Sequence, residues 1–403
     1  MKKKVVAILL MGAMIGLAAA GCSGGTQKQT DTSSEAAKEE EEEETGGDQE
    51  AADEAAELID AIYVQERTDM TDEQCKKAKE AWDALTDAQK ELVEGENADP
   101  DYFGRDTGDA SGDDPLNQDE IGENEILVVS FGTSYNDSRI EDIKGIEDAI
   151  QAANPDWSVR RAFTSQIIIN HVQARDGEVI DNMEQALERA AANKVKNLVV
   201  QPTHLMHGAE YDELTEALEA YQEQFETVRI AEPLLGEVGT DPSVINADKE
   251  KVAVALTDEA VKDAGYGSLN EAREDGAAFV FLGHGTYHTA KVTYSQMQSQ
   301  AEKLGYDNVF IGTVEGDPEE TACESVMDAV LQAGFKKVIL RPLMVVAGDH
   351  ANNDMAGEDE DSWMSVFKAS GKFDSVEAQI TGLGSIGEIQ KIYVKHVEDA
   401  MAQ

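Results

Sequence analysis

The sequence predicts an α/β protein with two similar lobes, each a doubly wound parallel sheet, facing each other across a cleft. Short runs of Val, Ile and Leu alternate with amphipathic helical stretches from residue 125 to the C-terminus. Uninterrupted apolar runs are typical of strands that are buried on both faces of a parallel sheet. The order of features also repeats once, and about 280 residues are enough to form two cores.

Four strands are predicted in each half of this region. They cover residues 126–130, 159–164, 198–203 and 228–232, then 278–282, 309–314, 338–343 and 378–381. Helical stretches such as 138–152, 181–193 and 319–333 separate them. We place the first lobe at residues 125–265 and the second at 266–403.

Two pairs of segments carry the repeat. Residues 131–135 match 284–288, and residues 201–208 match 341–348. This register places Glu210 opposite His350. The two segments would therefore form facing walls of the cleft.

The N-terminus has the pattern of an export signal. Three lysines precede an apolar stretch from Val5 to Ala20, and small residues lead to Cys22. The pattern predicts a lipoprotein signal peptide over residues 1–22, with Cys22 lipidated and the protein anchored outside the cytoplasm. An ordinary secretory signal or a retained anchor is the alternative. Cys75 and Cys323 are the remaining cysteines, and we expect both to be free thiols.

Three further segments precede the lobes. Residues 23–51 are acidic and poor in large apolar residues, which predicts a disordered spacer. Residues 52–96 have apolar side chains at helical spacing and predict a small helical module, either a spacer or a contact for a partner protein. Residues 97–124, rich in Gly, Asp, Pro and Asn, predict a linker.

The charge of the chain excludes one class of function. The formal net charge is −49. Binding to nucleic acid phosphates requires a basic surface, so we expect no nucleic acid partner.

Three residues are candidates for a metal site. His284, Glu315 and His350 each follow a predicted strand of the second half. Ligands bind beyond the carboxyl ends of parallel strands, and two imidazoles with one carboxylate suit a divalent transition metal. The alternative is that each residue only caps a helix or satisfies a loop.

The first half offers a second wall. His204 and Glu210 follow its third strand, and Ser134 and Tyr135 follow its first. His204 and His207 also form a His-x-x-His pair, but that motif is too short to indicate a metal site by itself.

Several segments resemble one family. They are residues 128–135, 160–165, 283–285, 347–357 and 360–363. They are similar to the anaerobic CbiK-type sirohydrochlorin cobaltochelatases of cobalamin synthesis, which belong to the class II chelatases. The resemblance covers residue 125 to the C-terminus.

The resemblance implies a fold, a reaction and a site. The implied fold is a pair of chelatase-like, flavodoxin-like lobes. The implied reaction is the insertion of Co²⁺ into sirohydrochlorin without ATP. Consistent with this, the sequence has no phosphate-binding Gly-x-x-x-x-Gly-Lys-Ser/Thr loop. The family's metal ligands fall on His284, Glu315 and His350. Independently of the family, a neutral imidazole can accept a proton, so we expect His284 or His350 to act as catalytic base. We expect the facing lobe to hold the macrocycle through Ser134, Tyr135, His204 and Glu210. Some exported members bind haem, but no haem ligand can be assigned here.

Ligand type alone leaves Fe²⁺ and Ni²⁺ open as alternatives to Co²⁺. The competing function is a non-catalytic lipoprotein that binds a metal, haem or a corrinoid. A zinc hydrolase is a weaker third alternative, because the sequence has neither a His-Glu-x-x-His motif nor a nucleophile elbow.

Overall fold

The computed structural model describes residues 33–103, 108–239, 241 and 243–403. The signal peptide and Cys22 therefore lie outside the described residues. Helix α1 spans Ser33–Asp60, so residues 33–51 are helical where the sequence analysis expected a disordered spacer. Ala and Glu are among the strongest helix formers, and a composition without large apolar residues does not prevent a helix from forming.

A helical module precedes the two sheets, as expected. After α1 it contains α2 (Thr71–Ala84) and the single turn α3 (Asp87–Lys90). Its apolar core includes Ile59, Ile62 and Trp82. The same core also contains Ala174 of the following domain, so the module packs against that domain.

The first sheet contains four parallel strands in the order β2-β1-β3-β4. The strands are β1 (Asn124–Ser130), β2 (Ser158–Phe163), β3 (Asn197–Pro202) and β4 (Thr227–Ile230). The helices that connect them are α4 (Asn136–Ser138), α5 (Gly145–Ala153), α6 (Gln166–Asp176), α7 (Met183–Ala192) and α8 (Ala209–Glu219). A π-helical segment, Arg139–Lys144, joins α4 to α5.

The second sheet repeats the first, with the order β6-β5-β7-β8. Its strands are β5 (Ala277–Gly283), β6 (Val309–Thr313), β7 (Lys337–Pro342) and β8 (Ser375–Ala378). The helices of this half are α9 (Ala247–Asp263), α10 (Leu269–Glu274), α11 (Val292–Lys303), α12 (Cys323–Gln332), α13 (Trp363–Ala369) and α14 (Gly387–Met401). A π-helical segment, Ala351–Met355, follows β7.

The predicted fold class is confirmed: both sheets are parallel and flanked by helices. Seven strands fall within two residues of their predicted starts. The eighth, β8, begins three residues before its predicted start at residue 378. It is a short edge strand, so its sequence lacks the long apolar run that marks the others.

Successive side chains of β1 belong to two different apolar cores. Ile126 and Val128 join an apolar core that also contains Phe279 and Phe281 of β5. Leu127 and Val129 join a separate core on the other face of the first sheet. The period of two along a strand explains this division. One core is therefore shared by both lobes.

Two helices cross the boundary that the sequence analysis placed at residue 265. Helix α9 lies before that boundary but packs against α10 and α11, while the C-terminal α14 packs against α5 and β3 of the first lobe. The expected boundary at residue 265 lies between β4 and β5, and α9 and α14 each pack across it. Helix periodicity shows which face of a helix is buried, and not against which sheet.

The segment expected as a linker is fixed to the first lobe. The Asp113 side chain is fully buried and lies 2.6 Å from Arg139 Nε and 2.7 Å from Arg161 Nη1. Burial opposes ionisation of this carboxyl, but Arg161 and Arg139 outweigh it and hold its pKa below the usual value. Removing one partner of such a buried cluster would leave uncompensated charge.

Cys75 and Cys323 are free thiols, as expected. Burial raises the pKa of Cys75 to about 11 and that of Cys323 to about 12, so both are inert at neutral pH. Among the described residues, no helix combines the length and apolar character needed to span a membrane.

Candidate metal centre and cleft

His284 and Glu315 are placed side by side by neighbouring strands. β5 pairs with β6, and just beyond their ends the Glu315 amide donates to the His284 carbonyl oxygen at 2.9 Å. Gly285 follows His284 with a φ of +96°, and a Cβ atom there would lie 2.8 Å from Glu315 Cβ. Only glycine suits this position, for both its backbone angle and its lack of a side chain.

The side chains of the two histidines of the predicted site are in contact. The ring centroids of His284 and His350 lie 4.4 Å apart, edge to face. His284 Nδ1 lies 2.8 Å from the Gly285 carbonyl oxygen, and His350 Nδ1 lies 2.6 Å from Asp354 Oδ2. Since a carbonyl oxygen and a carboxylate can only accept, both rings donate from Nδ1. Each neutral ring then keeps the lone pair of Nε2 for a metal.

Carboxylates surround His350. The bond to Asp354 raises the pKa of His350, burial opposes this, and the charges of Asp354, Asp349 and Glu315 add to the rise. One ligand atom each from Asp349, His350 and Asp354 lie within 4.8 Å of one another. Of the three predicted ligands, His284 contacts His350 through its ring and Glu315 through the backbone, whereas the cluster of ligand atoms around His350 is formed by Asp349 and Asp354. The negative charge of this cluster suits a divalent cation.

The facing wall of the first lobe reaches this region. Both ring nitrogens of His204 are buried and have no hydrogen-bond partner among the described residues. Burial lowers the pKa of His204, while the charge of Glu210 opposes that shift. Burial raises the pKa of Tyr294 to about 12, with a smaller rise from the charge of Glu210, and the Tyr294 hydroxyl accepts from the Gly285 amide at 3.1 Å. The first lobe reaches the loop after His284 through Asp212, whose Oδ2 lies 3.3 Å from His288 Nε2.

Ser134 and Tyr135 lie in the loop after β1, and both are partly buried. The Ser134 carbonyl oxygen accepts from Arg175 Nη2 at 2.7 Å, and the Tyr135 amide donates to Thr133 Oγ1 at 3.1 Å. The loop is therefore held rigidly. Its first residue, Phe131, is half exposed and occupies the position that matches His284 in the second lobe. Phe131 was not among the predicted site residues, although its match with His284 could have indicated it.

A contact between the lobes fixes the His350 loop. Asp142 of the first π-helical segment is buried, and its Oδ2 accepts from the Ala347 amide at 2.9 Å. Ser138 Oγ donates to the Ala347 carbonyl oxygen at 2.6 Å. Burial raises the pKa of Asp142 to about 7, although the Ala347 and Ser385 amides oppose the shift. The sequence gives no sign of this contact, since its partners are about two hundred residues apart.

The remaining histidines lie outside the pair. His207 Nε2 lies 2.7 Å from Glu232 Oε2, and His288 Nε2 lies 3.3 Å from Asp212 Oδ2 of the first lobe. His396 is almost fully buried and contacts Asp248 Oδ2 at 3.2 Å. His171 packs against the helical module.

Comparison with known proteins assigns the family. The model of the family described as cobalt chelatase (CbiK) matches residues 124–402. The chain belongs to this family. The helical module and everything before it lie outside the matched region.

Two curated proteins are similar to this chain. The sirohydrochlorin cobaltochelatase of Salmonella typhimurium strain LT2 is 32% identical over 276 residues, which cover 68% of this chain and 96% of that protein. The sirohydrochlorin cobaltochelatase CbiKC of Nitratidesulfovibrio vulgaris strain Hildenborough is 32% identical over 248 residues, covering 61% of this chain and 80% of that protein. The chain is therefore a metal chelatase of the cobaltochelatase type, and the non-catalytic alternative is not favoured.

Among solved structures, SirB from Bacillus subtilis with Fe³⁺ aligns with a TM-score of 0.48 and 15% identity. The alignment covers 70% of this chain and 96% of that one.

Proposed function

We propose that this cobalt chelatase inserts Co²⁺ into sirohydrochlorin without ATP, as a lipoprotein anchored outside the cytoplasm through Cys22. The reaction would be the metal insertion step of anaerobic cobalamin synthesis. The observation that carries the proposal is the His284–His350 pair, with ring centroids 4.4 Å apart and both Nδ1 atoms already engaged. Both Nε2 atoms are then available to one substrate metal ion.

The donor set suits stepwise transfer of the metal. His284, His350 and Glu315 would fill part of the coordination sphere of Co²⁺ and leave positions for water and then for ring nitrogens. The carboxylates around His350 make the site negatively charged, which favours the binding of a divalent cation. Fe²⁺ and Ni²⁺ have the same ligand preferences and are proposed as competing substrates.

Metal insertion releases two pyrrole protons, which require bases. His284 and His350 could each accept a proton at Nε2 once the metal has left that atom for the ring nitrogens, and His204 lies on the facing lobe with both ring nitrogens unpaired among the described residues. Because burial lowers its pKa, His204 is neutral at pH 7 and can accept a hydrogen bond or a proton from a pyrrole N–H. We propose that Ser134, Tyr135 and Glu210 hold the macrocycle beside it.

The test is the absorbance change that accompanies Co²⁺ insertion into sirohydrochlorin by the mature protein, without nucleotide. We expect turnover in the wild type and a loss of at least a hundredfold in His284→Ala and in His350→Ala, since each removes a metal ligand. His396→Ala, outside the cleft, is the control. Full turnover in both ligand variants would overturn the site assignment, and no turnover in the wild type would overturn the function.

The anchor is tested separately. We expect the wild type to fractionate with membranes and to incorporate a labelled fatty acid, and Cys22→Ala to lose both properties. A wild-type protein that is released without label would contradict the proposed localisation. The insertion assay on the purified protein does not depend on this result.

A further inference from the structure

We propose that residues 63–66 of the helical module form part of the tetrapyrrole site and contact the macrocycle through Tyr63 and Val64. This inference rests on the proposed function, since it needs a tetrapyrrole in the cleft. The module precedes residues 124–402, the region that matches the family, so the contact would belong to the additional part of this chain. We call residues 63–66 the module loop.

The module loop runs along α6 towards the first turn of that helix. Asn170 Nδ2, in the second turn, donates to the Ile62 carbonyl oxygen at 2.9 Å. The Gln166 amide, in the first turn, donates to Gln65 Oε1 at 3.2 Å. The chain therefore passes from the second turn of α6 to its first between residues 62 and 65.

The first turn of α6 lies at the cleft. Ser165, which directly precedes α6, donates from its amide to the Phe131 carbonyl oxygen at 3.2 Å. Ile168 of the same turn and Val346 of the second lobe pack against one apolar cluster. Val346 lies in the segment that leads to His350. The module loop therefore contacts the start of α6, and this same turn is bonded to the Phe131 backbone and packs against the cluster that Val346 also contacts.

The internal repeat supports the same placement. In the second sheet, β6 flanks β5 and is followed by Glu315. In the first sheet, β2 occupies the equivalent position beside β1, and Ser165 is the counterpart of Glu315. The next residue, Gln166, donates from its amide to Gln65, so the module loop lies beside the counterpart of a proposed metal ligand.

Three large apolar side chains are exposed in this region, together with the polar Gln65 and Glu66 of the module loop. Phe131 is 50% exposed, Tyr63 41% and Val64 40%. Clusters of large exposed apolar side chains indicate binding surfaces. A tetrapyrrole offers a broad planar face, and aromatic and aliphatic side chains pack well against such a face. The position beside the cleft favours this occupant over a partner protein.

The test is the binding of metal-free sirohydrochlorin to the full mature chain, followed by quenching of its fluorescence, with Co²⁺ insertion measured in parallel. We expect the double variant Tyr63→Ser, Val64→Ser to raise the Kd and the KM for sirohydrochlorin about tenfold, because it removes apolar contact area. The melting temperature, the kcat and the Co²⁺ affinity should stay unchanged.

Two controls sharpen the test. Leu92→Ser changes a residue of the same module that is 39% exposed, and it should leave the Kd unchanged. The double variant Tyr63→Phe, Val64→Ile keeps the apolar surface and should retain wild-type binding. An unchanged Kd in the serine double variant would overturn the inference, whatever the insertion assay gives.

The two proposals can fail separately. If the wild type binds sirohydrochlorin but does not insert Co²⁺, the proposed function is wrong, while the ratio of Kd values still decides on the module loop. If the wild type does not bind sirohydrochlorin, both are overturned.

Discussion

His350 owes its orientation to one neighbouring carboxylate. Asp354 accepts from Nδ1 at 2.6 Å, which fixes the tautomer that leaves the Nε2 lone pair available for a metal, and the ring centroid lies 4.4 Å from that of His284. Asp354 is four residues after His350, yet the segment between them is π-helical rather than α-helical. The contact therefore depends on a local geometry that sequence spacing alone does not specify.

Replacing Asp354 should weaken the metal site without unfolding the protein. We expect Asp354→Ala to lower Co²⁺ affinity ten- to a hundredfold, since partners that orient a ligand have effects of this size. Asp354→Asn keeps an acceptor oxygen and should lose less. Titration with Co²⁺ in the absence of tetrapyrrole measures the effect, and Glu360→Gln, an exposed acid nearby, serves as the control. Equal affinities in all variants would show that His350 is oriented by other contacts.

His171 illustrates a buried base with a structural role. Its ring stacks on Tyr102 at 4.3 Å and contacts Phe103 edge to face. Burial, and to a lesser extent the charge of Arg175, lowers the pKa of His171 to about 3. The folded protein therefore keeps this imidazole neutral, and protonation in the unfolded chain, at pH values below about 6.5, competes with folding.

This predicts an acid sensitivity that one substitution removes. Between the two pKa values the unfolded state binds more protons than the folded state, so stability falls as the pH decreases from 6.5 towards 3. From pH 7 to pH 5 we expect the wild type to lose about 2 kcal/mol more than His171→Leu. Denaturant unfolding of both proteins at the two pH values provides the measurement. An equal loss of unfolding free energy in both proteins would mean that His171 does not contribute to the acid sensitivity.

At the scale of elements, the loops after β1 and β5 show why the repeat matters. Gly132 and Gly285 have φ values of +100° and +96°, so both loops make the same turn. The side chains before them differ, with Phe131 in one lobe and His284 in the other. The two loops thus place different side chains at matching positions, an apolar one in the first lobe and a proposed metal ligand in the second.

Gly285→Ala should impair insertion more than stability. The new Cβ would lie 2.8 Å from Glu315 Cβ, so the loop must shift and carry His284 with it. Gly276→Ala is the matched control, because Gly276 has a φ of +78° and no other atom within 4 Å. Both should cost about 1 kcal/mol in backbone strain. Only Gly285→Ala should lose insertion activity, by at least tenfold, and similar activities would argue against a tight fit at this loop.

At the scale of the molecule, the cleft is held together by contacts between lobes. Asp142 accepts from Ala347, and Tyr393 of α14 donates to the Thr203 carbonyl oxygen at 2.9 Å. Helices α9 and α14 cross between the lobes, and one apolar core extends through both. The relative position of the two walls is therefore determined by the whole chain.

Asp142→Ala should loosen the His350 loop. It removes the acceptor for the Ala347 amide, and a small misplacement of reacting groups can cost a large part of the rate. We expect the kcat for Co²⁺ insertion to fall about tenfold or more, with partial recovery in Asp142→Asn, which keeps an acceptor oxygen. The exposed neighbour Glu141→Ala is the control. A lower melting temperature with an unchanged kcat would assign Asp142 a purely structural role.

The sequence by itself determined the parallel sheets, their repeat and the residues at the strand ends. Continuous apolar runs, helical periodicity and the matched segments are local properties, and they are readable without the fold. His284, Glu315 and His350 could be named because the ends of adjacent parallel strands must meet. Residues 33–51 were expected to be disordered but are helical, because low apolar content does not exclude a helix.

Only the tertiary structure decided which surfaces meet. Four sets of contacts join residues that are far apart in the chain. They are the packing of α9 and α14 on the opposite lobes, the burial of Asp113 by two arginines, the bond from Ala347 to Asp142 and the docking of the module loop on α6. Such contacts depend on how complementary surfaces pack in three dimensions, and residue spacing along one chain does not encode this.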